Sequence, residues 1–561
     1  MSDADASSLL IASQKSNLIP QSVPARSKFK MQKSAIIRYT ALFSAVFSSL
    51  CAGSISTFSL YGHLLQTRLK YTQTQVNTVA LAAQITLCLS VSFIGYLCDR
   101  VQPAFISLSS AITFGLGYSV AAFTYKYGAN SVYENTQPSA LSVWIMVIAF
   151  VMIGLATTMM YLSTITTCAK NFRNDKHRGL ALASPIAAFG LSGFWQSQIG
   201  SKLFIEHSLN GKKGDVDVFK YFIFLAFLLT VAGTVGFFLL RIVDENDLID
   251  EATEQQERTR LLGSNEPSFN SRINYNSRVD APNNDEMGNR SKKLSKEEMS
   301  RYLNLKTATF VRDPTMWFFA VGFLLVSGTG DAFITNMGTV IGTLDFSSQD
   351  PNKLSTIVAT QVSIVSLSST AARLIFGSLT DIFAPAPSLN FDHYSVHSST
   401  HHKFCPSNFS ISRNVFLIGS ALLLSAGQVV LAAGFAQNHM NRFWIVSTFI
   451  GFGYGAVYTL SPLIVSIVWG VENFGTNWGI ITTTPVLCIA FWDLIYSKIY
   501  EAGARASNYE HQSEYDEILC YGKSCYSTTF WAMAVSVWVA CALWLWAWKG
   551  KQGWAKRKVS V

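Results

Sequence analysis

Long apolar stretches that are almost free of charged residues alternate with polar links along this 561-residue chain. A transmembrane helix needs about 20 predominantly apolar residues. Twelve stretches have that length, six before a long polar segment and six after it: residues 39–62, 71–98, 101–125, 135–169, 179–201, 221–240, 314–344, 354–380, 414–441, 443–471, 473–496 and 524–548. The pattern predicts an all-α polytopic membrane protein with about twelve transmembrane helices in two six-helix bundles.

The polar segments divide the chain into five regions. We predict an N-terminal tail at 1–35, a first bundle at 36–241, a linker at 242–313, a second bundle at 314–548 and a C-terminal tail at 549–561. The linker is rich in Asn, Ser and charged residues and nearly lacks aromatic residues, a composition that predicts a mostly disordered segment. A second polar insert interrupts the second bundle at residues 384–413.

Charged residues make up 14% of the chain, and its net charge is +9. The cations lie beside the apolar stretches, which indicates the positive-inside pattern of membrane proteins and not nucleic-acid binding. They cluster in both tails and after the fourth stretch, at Lys15, Arg26, Lys28, Lys30, Lys33, Arg38, Lys170, Arg173, Lys176, Arg178, Lys549, Lys551, Lys556, Arg557 and Lys558. Residues 1–35 show no signal-peptide pattern. We therefore predict that both termini and the linker face the cytoplasm.

A short motif follows an apolar stretch in each half of the chain. The first copy is Gly95-x-x-x-Asp99-Arg100, and the second is Gly377-x-x-x-Asp381, which lacks the arginine. Glycine allows two helices to pack closely, and a carboxylate stabilises the positive start of a helix. The motif resembles the loop between the second and third helices of major facilitator superfamily transporters. This resemblance implies a gating contact on the cytoplasmic side, although residues 101–103 depart from the family's Gly-Arg-Lys.

Three charged residues lie inside the predicted spans, namely Asp331, Arg373 and Asp493. Charges at membrane depth are costly and usually face a bundle interior or a cavity. Asp331 lies among glycines in the seventh stretch, and glycine-interrupted helices at this depth are typical of transporter binding sites. We predict that Asp331 and Arg373 face a central cavity as substrate or coupling groups; the alternative is that they only pair with one another. Asp493 is predicted to form an interfacial ion pair with Lys498.

Four histidines in the second polar insert are the only candidates for a metal site. They are His393, His397, His401 and His402, and three of them could share one helix face and hold Zn²⁺. The surrounding Ser-rich segment instead predicts a solvated loop. Because the chain has no metalloenzyme motif, nucleotide-binding glycine loop or nucleophile elbow, we predict neither an enzyme nor a metal or cofactor site.

Cys520 and Cys525 lie in the link before the last span, on the predicted non-cytoplasmic side. A disulfide between them is favoured over two free thiols if that compartment is oxidising. Two acidic dileucine patterns lie in cytoplasmic segments, at Asp5 with Leu9 and Leu10 and at Glu257 with Leu261 and Leu262. Such signals are addresses read by a receptor. They predict a sorting adaptor as a partner and delivery to a vacuole or lysosome.

Segments of both halves are similar to the fungal monocarboxylate-transporter-homologue proteins of the major facilitator superfamily. These segments are residues 56–77, 328–336 and 520–526. The resemblance implies the twelve-helix fold of that superfamily and a transporter in the vacuolar membrane. Arg373 is spaced from Gly377 as in the eighth helix of monocarboxylate transporters, which have an Asp where this chain has Ser369.

The sequence thus predicts a secondary active transporter that moves a small organic solute, such as a monocarboxylate-like anion, across the vacuolar membrane by alternating access. The plasma membrane is the alternative location. The alternative function is a non-transporting receptor or scaffold that acts through its cytoplasmic linker. The expected partners are a small-molecule substrate and the lipid bilayer, and the protein is expected to be a monomer.

Overall fold

The structure is a computed structural model that describes residues 25–133, 140–173, 175, 177–207, 213–243, 296–344, 351–383, 411–508 and 520–557. The described residues between Thr40 and Ile242 and those from Lys296 onward form one compact unit. The described residues before Thr40, together with Val243, belong to a second unit. All contacts discussed below lie within the first of these units.

The described part of the first half is almost entirely helical, as predicted. Its helices are α1 (Ala25–Ala52), α2 (Phe58–Leu69), α3 (Gln73–Arg100), α4 (Pro103–Tyr133), α5 (Ala140–Asn171), α6 (Arg178–Leu203) and α7 (Val218–Leu239). A 3₁₀ turn at Ser54–Thr57 joins α1 to α2. A short antiparallel pair that was not predicted, β1 (Ile205–His207) and β2 (Lys213–Val216), connects α6 to α7.

The described part of the second half is also mostly helical. Its helices are α8 (Lys296–Arg312), α9 (Pro314–Gly342), α10 (Pro351–Phe383), α11 (Arg413–Ala432), α12 (Phe443–Val468), α13 (Phe474–Thr483), α14 (Pro485–Asn508) and α15 (Ser527–Lys549). Short 3₁₀ turns lie at Met440–Arg442 and Lys523–Cys525. Helix α8 occupies the end of the linker predicted to be mostly disordered, and residues 244–295 of that linker lie outside the described residues.

Within the part of the chain that the structure describes, 11 helical segments are long and apolar enough to cross a membrane. The remaining predicted span corresponds to α6, which is 26 residues long but carries Pro185 and several buried polar side chains. Its polarity follows from its position, because α6 packs against the interrupted first helix and lines the central cavity. In its described residues, each of the twelve predicted stretches is therefore largely helical, as the multi-pass prediction requires.

The residues at the start of two helices show how the sequence sets their boundaries. Thr72 and Gln75 form a capping box at the start of α3, in which each side chain bonds the other residue's backbone amide. Asp313 caps α9 by accepting from the Thr315 amide at 3.0 Å. Pro314 occupies the first position of α9, where a missing N–H leaves no bond unmade. Caps of this kind stabilise a helix by about 1 kcal/mol.

The first membrane helix is interrupted at Gly53, between α1 and the 3₁₀ turn. The last carbonyl groups of a helix have no partner within it, and two side chains of α6 supply donors here. The Trp195 indole donates to the Leu50 carbonyl at 2.8 Å, and the Gln196 amide donates to the Cys51 carbonyl at 2.6 Å. The carbonyl groups of Leu50 and Cys51 at the interruption are therefore hydrogen-bonded, and the interruption lies at the depth of the central cavity.

The C-terminal tail folds back onto the start of α9. Arg557 donates to both carboxylate oxygens of Asp313, at 2.7 and 2.9 Å. Burial alone would raise the pKa of Asp313, but hydrogen bonds from Arg557, Thr315 and Trp469 lower it to about 2. The ring of Trp554 lies 5.6 Å from that of Trp469, centroid to centroid. The tail is thus attached to the link between α12 and α13.

Candidate functional site

A cavity of about 400 Å³ lies between the two halves at the middle of the helices. Both halves contribute to its wall, through α3, α5, α6 and the interruption of the first helix on one side and α9, α10, α12, α13 and α14 on the other. Most of the lining is apolar. The charged side chains in the lining are Asp331 and Arg373, so the structure brings together the two residues predicted to face a central cavity.

The Asp331 carboxylate is held by two tyrosines of α12. The Tyr454 hydroxyl donates to Oδ1 at 2.5 Å, and the Tyr458 hydroxyl is 3.4 Å from Oδ2. The two rings lie 4.6 Å apart between centroids. Gly330 gives the Tyr454 ring its space, because a side chain at position 330 would overlap that ring. The glycine before Asp331 therefore serves close packing, while α9 itself stays helical through this region.

The Arg373 guanidinium reaches across to the other half. Its Nη1 donates to the Ile186 carbonyl of α6 at 2.7 Å, and the side chain is 7% exposed. Among the described residues, Nε of Arg373 is buried without a hydrogen-bond partner. No carboxylate in the described part of the chain lies within 4.0 Å of the guanidinium, so the alternative of a direct pair with Asp331 is wrong: tyrosines bind Asp331, and a carbonyl binds Arg373.

The ion pair predicted for Asp493 is also wrong. Asp493 accepts a hydrogen bond from the Asn336 amide of α9 at 2.7 Å. No bond to Lys498 within 4.0 Å is found among the described residues. Asp493 lies one helical turn beyond Ile489, which lines the cavity, so its carboxylate joins α14 to α9 near the cavity.

The first gating motif contacts the opposite half directly. Asp99, at the end of α3, accepts from the Gly475 amide at 3.2 Å and from the Thr476 amide and hydroxyl at 2.6 and 2.7 Å. Lys170 of α5 lies 2.9 Å from the same carboxylate, which is fully buried. Gly95 is needed for this approach, because a Cβ there would lie 2.7 Å from the Gly475 carbonyl carbon. Asp99 therefore caps the start of α13.

The second motif makes the reciprocal contact. Asp381, at the end of α10, accepts from the amides of Gly179 and Leu180 at 2.7 and 2.9 Å. Both residues lie in the first turn of α6 in the opposite half. Gly377 packs against α6, where a Cβ would lie 2.5 Å from that of Ala183. Each half thus caps a helix of the other, and we call the two contacts together the latch.

Helix α8 lies beside the latch and touches both halves. Arg100 donates to the Asn304 side chain, and Lys306 pairs with Glu472. The Asn473 amide, just before the start of α13, donates to the Leu303 carbonyl at 2.6 Å and the Thr307 hydroxyl at 2.9 Å. The arginine of the first motif therefore binds the linker helix and not Asp99.

Several residues of the site were not predicted as such from the sequence. Lys170 was counted only as a cytoplasmic cation, although its position at the end of a span marks it as a partner for a nearby carboxylate. Tyr454 and Tyr458 are four residues apart, which places both on one helix face. Nothing in the sequence links Gly475 and Thr476 to Asp99.

The remaining predicted residues lie at the edges of the described chain or outside it. Cys520 and Cys525 are joined by a disulfide, with Cα atoms 6.0 Å apart. The dileucine residues Asp5, Leu9, Leu10, Glu257, Leu261 and Leu262 lie outside the described residues, as do His393, His397, His401 and His402.

Comparison with known proteins gives one family over most of the chain. The profile of the Major Facilitator Superfamily matches residues 42–492. A protein of Neurospora crassa named probable transporter mch1 is 46% identical, over 94% of this chain and 91% of its own length. A probable transporter MCH1 of Gibberella zeae is 42% identical, over 100% of this chain and 98% of its own.

Solved structures show the same fold at low sequence identity. The proton:xylose symporter XylE, bound to 6-bromo-6-deoxy-D-glucose, superposes with a TM-score of 0.58 at 12% identity, over 91% of this chain and 96% of its own. A bacterial homologue of the iron transporter ferroportin in an outward-facing state gives 0.53 at 11% identity, over 91% and 98%. At these identities the likeness concerns the fold alone.

Proposed function

This chain belongs to the major facilitator superfamily and, within it, to a group of fungal probable transporters, and on that premise we propose that it is a secondary active carrier of a small monocarboxylate-like anion. The protein is a multi-pass membrane transporter and not an enzyme. The observation that carries the proposal is Arg373, a cation in the central cavity with no carboxylate partner among the described residues.

An arginine in this environment favours an anionic ligand. Holding a charge at membrane depth without a direct salt bridge is expensive, and one neutral carbonyl offsets only part of that cost. Charge-assisted bonds from a guanidinium to a carboxylate are roughly twice as strong as neutral hydrogen bonds, and the planar group can engage both carboxylate oxygens. The cavity is at the lower end of the range of about 300–1,000 Å³ typical of ligand pockets, which suits an acid of a few carbons.

Alternating access requires the two halves to separate at one end while they close at the other. The latch supports this mechanism because Gly95, Asp99, Gly377 and Asp381 all contact the opposite half at one end of the molecule. Arg100 adds the linker helix to the same end. We propose that these residues close the cytoplasmic side in the present conformation, and that transport breaks the two helix caps and then remakes them.

The proposal is tested by uptake into proteoliposomes that contain the purified full chain. The probes are radiolabelled acetate, lactate and pyruvate, each compared with its primary amide, which has nearly the same shape and no charge. We expect saturable uptake of at least one acid and none of its amide. Arg373→Gln should abolish that uptake, whereas Arg505→Gln, on an exposed arginine paired with Glu501, should not.

Equal uptake of an acid and its amide would refute the anion site. The absence of saturable flux for every probe, from protein that is correctly folded and inserted, would refute carboxylate transport and favour the receptor or scaffold alternative.

We further propose the vacuolar membrane as the location, with the plasma membrane as the alternative. The support is the pair of dileucine patterns in segments expected to face the cytoplasm. Replacing Leu9, Leu10, Leu261 and Leu262 by Ala should redirect a fluorescent fusion away from the vacuole. Full vacuolar delivery of that variant would show that these leucines are not the address.

A further inference from the structure

We propose that Gly190 and the Ile186 carbonyl form a dock that positions Arg373 for the carboxylate of the substrate, an inference that rests on the proposed function. The dock and the arginine come from different halves: Gly190 and Ile186 lie on α6, and Arg373 lies on α10. All three residues line the central cavity. Gly190 and Ile186 would thus be positioning residues that act on the substrate through Arg373.

The space for the guanidinium exists only because residue 190 is a glycine. A Cβ at position 190 would overlap Nη1 of Arg373 and lie 2.9 Å from its Cζ. Glycine is not required here by the backbone conformation, because α6 is helical at this position and glycine lowers helix stability. The lack of a side chain at position 190 therefore makes room for the guanidinium of Arg373, which reaches the carbonyl of Ile186 one turn earlier.

The carbonyl fixes Nη1 of the guanidinium and leaves Nη2 available to a ligand. Nη1 donates to the Ile186 oxygen at 2.7 Å, while Nε has no partner among the described residues. A carboxylate that enters the cavity can accept a charge-assisted hydrogen bond from Nη2 without displacing the carbonyl. A pre-oriented arginine binds more tightly than a free one because less side-chain freedom is lost on binding.

Because donor and acceptor belong to opposite halves, rocking of the halves would separate them. Helices α6 and α10 are also the pair joined by Asp381 at the latch. The oriented form of Arg373 is therefore tied to the closed latch, and a carrier of this design binds its anion more tightly in that state than in the other.

The test is Gly190→Ala, with Gly200→Ala as the matched control. A Cβ at position 200 meets a comparable obstacle on the same helix, because it would lie 2.6 Å from Cδ2 of Leu60 and 2.9 Å from a ring carbon of Tyr221, but these residues are not part of the cavity lining. With the acid that the parent transports fastest as the probe, we expect Gly190→Ala to raise KM roughly three- to tenfold with maximal rate little changed. Gly200→Ala should leave KM near that of the parent.

A second background separates positioning from general damage to α6. Lysine at position 373 has no second nitrogen to orient, so Gly190→Ala should change KM by less than about twofold when combined with Arg373→Lys. If Gly190→Ala is poorly produced because of the overlap, this combination still tests the idea, because the flexible ammonium can leave the space. A KM effect of equal size in both backgrounds, or of equal size for Gly200→Ala, would overturn the dock.

A readout without substrate distinguishes failure of the dock from failure of the proposed function. Cys88 lines the same cavity, and its reaction with an anionic and a cationic methanethiosulfonate can be followed at that residue by mass spectrometry. The ratio of anionic to cationic rate should fall for Arg373→Gln, and for Gly190→Ala it should move toward that lower value. A parental ratio in Gly190→Ala would refute the dock. If the parent protein transports none of the acids but the ratio changes as expected in the variants, only the proposed substrate is refuted.

Discussion

Asp99→Asn tests the latch with the least change of shape. The wild-type carboxylate accepts three hydrogen bonds across the halves, two from amides and one from a hydroxyl. A hydrogen bond to a charged acceptor is worth about 1 kcal/mol more than one to a neutral acceptor. Asparagine keeps one uncharged acceptor oxygen and has an NH₂ group, which cannot accept, in place of the other, so the closed state should lose roughly 3 kcal/mol or more. At 1.4 kcal/mol per factor of ten, the latch-open population rises about 100-fold.

Cys98 is a native reporter for this shift. It precedes Asp99, is buried, and belongs to an apolar core to which both halves contribute. Alkylation by N-ethylmaleimide, resolved by residue with mass spectrometry, measures how often this region opens, provided that opening is faster than alkylation. We expect Cys98 in Asp99→Asn to react up to about 100-fold faster than in the parent. Cys51, buried in the first half, reports any general unfolding and should not change.

Asp217→Asn is the matched control, because Asp217 also caps a helix and pairs with a lysine, but within one half. Asparagine is as good a cap as aspartate at an ordinary helix start, so this variant should behave like the parent. If Asp99→Asn is inserted normally and its Cys98 reacts no faster than in Asp217→Asn, the carboxylate does not hold the halves together, and the gating role fails.

Three further predictions follow from the same geometry. Asp381→Asn should also open the latch, but its cost of about 1–2 kcal/mol should be smaller than that of Asp99→Asn. The reason is that the described residues give Asp381 two amide donors and no cation within 4.0 Å. An effect as large as that of Asp99→Asn in the alkylation assay would contradict this order. Asp331→Asn and Arg373→Gln should lower protein abundance additively when combined, since no direct bond joins them; recovery in the double variant, measured by quantitative blotting, would restore the paired interpretation. Replacing Cys520 and Cys525 by Ser should lower stability by about 2 kcal/mol through the released six-residue loop, and unchanged thermal unfolding would show that the link is held by other contacts.

The helices could be predicted because bilayer insertion is a property of each stretch by itself. A span must satisfy its own backbone and be apolar over about 20 residues, so twelve windows sufficed. The side chains that bond the carbonyl groups at the Gly53 interruption, Trp195 and Gln196, were not predicted, because they lie far along the chain. Helix α8 could not be predicted for a related reason. Its polar composition is typical of a linker, and the helix is held by contacts with Glu472 and Asn473.

The charged residues of the candidate site could be predicted from the sequence, but their hydrogen-bond partners could not. The cost of burying Asp331 and Arg373 identified them as cavity residues, and both line the cavity. The same cost suggested that they neutralise one another, which is wrong because the tyrosines of α12 and the α6 carbonyl are nearer to each of them. Carbonyls and hydroxyls are present everywhere in a sequence, so only three-dimensional proximity can single out Ile186, Tyr454 or Tyr458.

The exchange of helix caps between the halves has a consequence for biosynthesis. The amides of Gly179 and Leu180 emerge from the ribosome about 200 residues before Asp381, the carboxylate that accepts from them. Gly475 and Thr476 are synthesised even later relative to Asp99, but Lys170 of the same half can neutralise the Asp99 carboxylate until then. The first half therefore enters the membrane with the start of α6 uncapped, and its assembly can finish only after translation has passed the end of α10. A first half made alone is expected to depend on chaperones and to be degraded.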